Sequence, residues 1–325
     1  MSSELTKFTL PIIKELEQVE KEILTELGSY NELLIQSTNH LLNAGGKRLR
    51  PILVLLISKA TVPELNYNHI LLASAVELLH TATLIHDDII DNAVLRRGIP
   101  SVNYYWNEKI SVIAGDFLLA KASYFISKIK NIHLNFLFSK TVMEMCNGEI
   151  KQLSDRYNTV VNWENYINKT QLKTAILLSA ACQGSAIINS VSSNLEEVIR
   201  EYGLNLGTAF QIIDDILDFS DNSSQIGKPI CNDLKHGILT APVLFALSDS
   251  PKKEELKELI KGKFKSQEEL DQAVKIIKEG DSIEKSKKLA DSYILKAYES
   301  LSNIPYSPVH ENLIELTDFV LKRKI

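Results

Sequence analysis

From Tyr67 to Asn92 the chain runs for 26 residues without a glycine or a proline, and it is apolar on almost every side. A helix apolar nearly all round has no face to give to water, so it belongs at the centre of a helical core. The rest of the chain follows the same rule. It holds 13 glycines and 9 prolines in 325 residues, little more than half the average share of about 12%. These residues make turns and end helices. So few of them exclude sheet-rich, collagen-like and disordered chains and leave long helices. The expected fold class is all-α, one helical bundle over residues 1–325, with no linker that divides it. Its helices beyond about residue 250 form a charged outer subregion (PKKEELKELIKGKFK).

Periodicity places the helices. Leu10, Ile13, Leu16, Val19, Ile23 and Leu27 recur at three- and four-residue steps, and Gly28 ends that run. Further helices are expected over 31–43, from Lys47 to before Pro63, and over 67–92, 109–129, 132–155, 163–189 and 194–220. Others follow over 233–248, 252–261, 267–279, 281–302 and 309–323. Arg96–Pro100 and Asp221–Pro229 read as loops.

Several functional classes drop out. Cys146, Cys182 and Cys231 form no paired motif, which fits a reducing cytosol and excludes a disulfide scaffold or a structural zinc site. With 36 basic and 41 acidic residues the net charge is −5, so no nucleic-acid partner is expected. No run of 18 apolar residues suggests a membrane span, and the N-terminus does not read as a signal peptide. The expected location is cytoplasmic.

Two acidic motifs carry the chemistry. Asp87-Asp88-Ile89-Ile90-Asp91 ends the central helix, and Asp214-Asp215-Ile216-Leu217-Asp218 ends another long helix 127 positions later. Residues i and i+4 share a helix face, with the remaining carboxylate about 100° round. Three carboxylates in one turn, set among Thr83-Leu84-Ile85 or Phe210 and Ile212-Ile213, need a compensating charge. Oxygen-only donors favour Mg2+, which takes one or two carboxylates and completes its shell with water and substrate phosphates.

Basic residues suited to phosphate stand beside turn-formers. Gly45-Gly46-Lys47-Arg48-Leu49-Arg50-Pro51 leads into a helix N-terminus, where free N–H groups and the dipole favour anions. Arg96-Arg97-Gly98 follows the first acidic motif, and Arg suits bidentate phosphate contacts. Lys169-Thr170, Lys228 and Lys235 add to the set. Together they point to a site where Mg2+ and cations hold one or two diphosphates.

The combination GGKRLRP, HTATLIHDDIID, RRG, GDFLLAKA, GEIKQ, KT, GTAFQIIDDILDF, GKP and DLKHGILTAP resembles the trans-isoprenyl diphosphate (polyprenyl) synthase family, over about residues 43 to 245. The resemblance implies an isoprenoid-synthase-type bundle around a deep central cavity, usually a homodimer. It also implies condensation of isopentenyl diphosphate with an allylic diphosphate, the two aspartate-rich motifs facing each other at the cavity mouth. It assigns Asp87, Asp91 and Asp214 as Mg2+ ligands, up to three ions with substrate bound, supported by Asp88, Asp215 and Asp218. It assigns Lys47, Arg50, His80 and Arg97 to isopentenyl diphosphate. Arg96, Lys169, Thr170, Gln211 and Lys228 go to the allylic diphosphate, with Lys235 a weaker member and Lys169 also catalytic. Arg323-Lys324 offers a basic tail that helps close the site. Glu77-Leu78-Leu79-His80 also spells the Glu-x-x-His of di-iron bundles, but no second such pair exists.

The family sets product length by side-chain size on the helix before the first motif. Here Ala82 and Thr83 are small, with Leu79 one turn deeper. Each turn is about 5.4 Å, near one isoprene unit, so the expected product is about C30 to C45, made from a farnesyl or geranylgeranyl primer. HTATLIHDD and GEIKQL also look most like long-chain members. The competing readings are a geranylgeranyl or farnesyl diphosphate synthase, the catalytic subunit of a heteromeric hexaprenyl or heptaprenyl synthase with a small partner, and a class I terpene cyclase. The last usually replaces the second aspartate motif with an Asn/Asp-x-x-Ser/Thr-x-x-x-Glu pattern, which Asp214–Asp218 does not match. At most a peripheral membrane contact is expected, for product release.

Overall fold

The computed structural model describes residues 7–25, 29–220 and 231–322. Almost all regular structure in them is helical, as the scarcity of breakers requires. The chain groups into two compact units. The first comprises Met1–Ser139, Leu177–Arg200 and Leu301–Leu316, and the second Lys140–Ile176, Glu201–Ser300 and Thr317–Ile325.

The first unit opens with a 3-10 turn (Leu10–Ile12), then α1 (Ile13–Leu24), α2 (Glu32–Asn43), α3 (Leu49–Thr61) and α4 (Tyr67–Ile90). The expected end of α1 at Leu27 and Gly28 lies outside the described residues. Helix α4 is the core: Ile70 through Ala73, Ala75, Val76, Leu78 and Leu79 are all buried. Its start is fixed by a capping box, in which the Asn66 side chain accepts from the Asn68 N–H and the Asn66 N–H donates to His69 Nδ1 at 2.9 Å. That leaves the proton on His69 Nε2, which donates to Asn189 Oδ1 at 2.7 Å.

After α4 come β1 (Leu95–Arg96) and β2 (Ile99–Pro100), then α5 (Val102–Tyr105) and α6 (Glu108–Lys128). Here the structure corrects the expected loop. Arg97 and Gly98 both have positive φ, 53° and 78°, the backbone that a tight hairpin turn needs, so the strands pair antiparallel. Helix α6 packs along α4. Gly115 makes the approach possible, because a Cβ there would lie 2.2 Å from His86 Nε2. By length and composition alone α4 and α6 could each cross a membrane, but 78% of that stretch of α4 and 44% of that of α6 are buried within the protein.

Helix α7 (Ile132–Ser154) leads into the second unit. There the expected single helix over 163–189 is three segments: α8 (Trp163–Thr170), a π-helical turn (Gln171–Ala175) and α9 (Ile176–Ile188), of which α9 belongs chiefly to the first unit. Helix α10 (Ser193–Leu217) crosses the π turn closely, with Gly207 against Ala175. The expected helix over 233–248 is two pieces, α11 (Asn232–Lys235) and α12 (Ala241–Asp249). Gly237 takes φ 75° and Pro242 lies in the first turn of α12, which breaks the run. The chain ends with α13 (Lys253–Lys261), α14 (Gln267–Glu279), α15 (Ser282–Ser302) and α16 (His310–Leu321).

Candidate active site

Both acidic motifs straddle a helix C-terminus. Asp91 caps α4 and its N–H donates to Asp87 O at 2.9 Å; the Asp218 N–H donates to Asp214 O at 3.1 Å, one residue past α10. The outer carboxylates of each motif thus share a face one turn apart. They also stand at the negative end of the helix dipole, where cations are favoured and carboxylates are not.

The two motifs are built alike. In each, the middle aspartate is buried and the outer two are half-buried. Asp88 is 1% exposed and takes the Arg96 guanidinium, Nε to Oδ1 at 2.7 Å. Asp215 is 3% exposed and is met by neutral donors: Tyr166 Oη at 2.6 Å on Oδ2, Gln211 Nε2 at 2.9 Å on Oδ1 and the Ala241 N–H at 3.5 Å. Burial pushes Asp215 up to about 7, against the pull of those donors.

In the first unit the hairpin and the loop before α3 come together. The hairpin lays Arg97 against Gly46 and onto the carbonyls of Gly45 and Leu41, so the Arg-Arg-Gly and Gly-Gly-Lys-Arg segments touch. Gly46 holds φ 152°, and a Cβ there would reach 3.1 Å from Arg97 Cζ. Arg48 turns inward, with Nε on Glu20 at 2.6 Å and Nη1 on the buried Glu77 at 2.9 Å. Glu77 is thereby a counter-ion, also 3.9 Å from Arg97, and not a metal ligand beside His80. His80 is held well below the ordinary imidazole value by burial and then by Arg50, Arg97, Arg96 and Arg48. Four guanidiniums thus act on one imidazole and favour its neutral form. Lys47 is exposed on the loop before α3.

In the second unit Lys169 is 9% exposed, 4.0 Å from Asp155, and its ammonium is pushed down chiefly by burial. Thr170 is buried and donates to Tyr166. The contact to Gln211 comes from a different Lys-Thr pair four residues on: Thr174 Oγ1 donates to Gln211 Oε1 at 2.7 Å, and Lys173 pairs with Glu149 at 2.7 Å. The sequence reading passed over Lys173-Thr174. The repeat of Lys-Thr within six residues was the available signal, and the π turn that presents the second pair is common at functional sites. Lys235 ends α11, and its loop is clamped by Tyr157, whose N–H reaches Gly237 O at 2.8 Å and whose hydroxyl reaches Lys235 O at 3.2 Å. Lys228, Arg323 and Lys324 lie outside the described residues. On α4, Thr83 is half-buried on the stripe of His80 and Asp87, whereas Leu79 and Ala82 are buried.

Among the described residues no three His, Cys, Asp or Glu side chains close on a single point. Pairs of half-buried carboxylates at helix ends fit a hard divalent cation that also binds water and substrate phosphate, and fit poorly a cation that needs an all-protein cage. 

Residues 31–277 match the polyprenyl synthetase family. The chain is 36% identical to solanesyl diphosphate synthase 2 of Arabidopsis thaliana, over 96% of this chain and 75% of that protein. It is 35% identical to heptaprenyl diphosphate synthase component 2 of Bacillus subtilis, over 95% and 88%. Its fold superposes on a polyprenyl synthase of Caulobacter crescentus complexed with calcium and isoprenyl diphosphate, with a TM-score of 0.92, 30% identity and 99% and 98% coverage. With its paired aspartate turns and its arginine-ringed histidine, the chain belongs to the polyprenyl synthetase family.

Proposed function

We propose that the protein is a trans-prenyltransferase that condenses isopentenyl diphosphate with an allylic diphosphate, farnesyl or geranylgeranyl, and repeats the step to make a polyprenyl diphosphate of about C30 to C45. The observation that carries this reading is the duplicated acidic turn: one aspartate buried and held by protein donors, two half-buried at the wrong end of the helix dipole.

Asp87 and Asp91 of the first motif and Asp214 of the second would hold Mg2+, with Asp218 in support. When bound, Mg2+ draws negative charge from the departing diphosphate as the allylic C–O bond breaks. Arg50, Arg97 and neutral His80, with Lys47, bind the isopentenyl diphosphate. Arg96 and Lys169, with Thr170, Gln211 and Lys228, bind the allylic diphosphate, joined by Lys173 and Thr174. The allylic C–O electron pair leaves with the diphosphate. The isopentenyl double bond then forms the new carbon–carbon bond, and a proton is lost to the departing diphosphate. The products are the lengthened allylic diphosphate and inorganic diphosphate. The step needs no protein nucleophile, and it requires that water be kept from the cation.

Length follows from Thr83 and Ala82, which put no aromatic ring in the turn before Asp87. The similarity to solanesyl and heptaprenyl synthases supports the same range. A second copy is the expected partner. Val112, Ile113 and Tyr124 on α6 and Ile132 and Phe136 on α7 are exposed apolar residues, Phe136 at 68%, and such faces favour association. The likeness to a component 2 protein supports the alternative of a small heteromeric subunit. The test is turnover of the purified chain alone with isopentenyl and farnesyl diphosphates. Activity abolished by chelation and restored by Mg2+ is the expected result. No turnover alone, with recovery on adding a partner, supports the heteromer, and no turnover with either overturns the reading.

A further inference from the structure

Tyr166 is not among the residues assigned to substrate diphosphate, yet it joins a hydrogen-bond chain that runs through Asp215 to Gln211 and Thr174. Its ring is fixed edge-on against Trp163, centroids 5.8 Å apart, and Trp163 lies 4.3 Å from Phe245 of α12. The residue is 4% exposed. Its hydroxyl donates to Asp215 Oδ2 at 2.6 Å.

Gln211 turns its NH2 toward Asp215 Oδ1, with Nε2 at 2.9 Å. Its carbonyl oxygen is then committed to the other side, so the Thr174 hydroxyl at 2.7 Å must be a donor. The chain runs from Tyr166 and Asp215 in the core to half-buried Gln211 and Thr174. The open end of the chain presents oxygen lone pairs and no hydroxyl proton. Burial strengthens such a chain, because a reversed member would leave a buried polar group unmade.

We infer that Tyr166 is a positioning residue: by holding Asp215 Oδ2 it keeps in place the carboxyl that anchors the Gln211 amide and, through it, the Thr174 hydroxyl beside the allylic substrate. This rests on the prenyltransferase reading above. Removing the Tyr166 hydroxyl leaves Asp215 Oδ2 with the long Ala241 N–H contact at 3.5 Å, so the carboxyl shifts and carries the Gln211 amide and the Thr174 hydroxyl out of place.

The experiment is a double-mutant cycle on the full-length enzyme with isopentenyl and farnesyl diphosphates, using Tyr166→Phe, Thr174→Val and the pair. Tyr166→Phe keeps the ring against Trp163. Thr174→Val tests the same chain from its half-buried end without disturbing the core, and Thr174→Ser keeps the hydroxyl. The expected result is a kcat lowered about tenfold in each single variant. KM for isopentenyl diphosphate should be unchanged, Thr174→Ser close to wild type, and the double variant no worse than either single. Additive losses, or a loss in Tyr166→Phe confined to KM or to thermal stability, overturn the inference. An inactive wild-type enzyme, with or without a partner subunit, overturns the prenyltransferase reading itself and the inference with it.

Discussion

Gly207 lies so close to Ala175 that a Cβ at position 207 would sit 2.6 Å from the Ala175 Cα. The obstacle is backbone, which cannot swing aside. Gly207 is on α10, one turn before Gln211, and Ala175 closes the π turn that carries Thr174. Gly207→Ala should therefore spread α10 from that turn, costing about 1 to 3 kcal/mol. It should also lengthen the Thr174–Gln211 contact. Thermal unfolding and turnover measured together check this: both should fall, and a variant with normal stability and normal kcat would show that the close approach is not needed.

Arg96 and Asp88 make a pair in which the carboxylate is almost fully buried. Removing only the cation takes the charge partner from a buried carboxylate. Arg96→Ala should thus cost about 3 kcal/mol, whereas Arg96→Met combined with Asp88→Leu should recover most of it, because apolar replacement of a buried pair is often neutral. Denaturant midpoints for the three proteins measure the difference. Equal losses in the single and the double variant would contradict it.

Much of this was legible in the sequence, for physical reasons. Helix periodicity and scarce breakers place nearly every helix, since burial of one face dictates both. The aspartate turns announce themselves because carboxylates among apolar residues need a cation. The hairpin at Arg96–Pro100 escaped because two-residue strands have no periodicity to read. The π turn escaped because one added residue in a helix leaves no compositional mark, and with it went the importance of Lys173-Thr174. Tyr166 carries no signal of its own in the sequence. Its hydroxyl matters only because folding brings it, from 49 positions away, onto Asp215.

His80 gives the protein a defined response to acid. Burial and four neighbouring guanidiniums hold its folded-state pKa below the unfolded value of about 6.5. The unfolded chain therefore takes up a proton that the folded chain refuses. Stability should be unaffected above that value and fall as pH drops below it, by at most about 1.4 kcal/mol per pH unit from this residue. Urea midpoints at neutral and mildly acidic pH should show a smaller decline for His80→Gln than for wild type. Identical slopes would mean that the imidazole is not held neutral.

The three cysteines should differ sharply in reactivity. Cys146 is exposed, whereas Cys182 and Cys231 are buried, with burial pushing the thiol of Cys182 far up and that of Cys231 up to about 12. The thiolate is the reacting form. Alkylation of native protein should label Cys146 fast and the other two only after denaturation, as peptide mass mapping will show. Fast labelling of Cys182 would contradict the helix packing described.

Product length tests the central claim most directly. The enzyme, with its partner if one proves necessary, is incubated with Mg2+, isopentenyl diphosphate and farnesyl diphosphate, and the dephosphorylated products are separated by chromatography. With only Thr83 and Ala82 in the turn before Asp87, the products should fall at about C30 to C45, and Thr83→Phe or Ala82→Phe should shorten them. Products that stop at C15 or C20 in the unmodified enzyme would contradict the account.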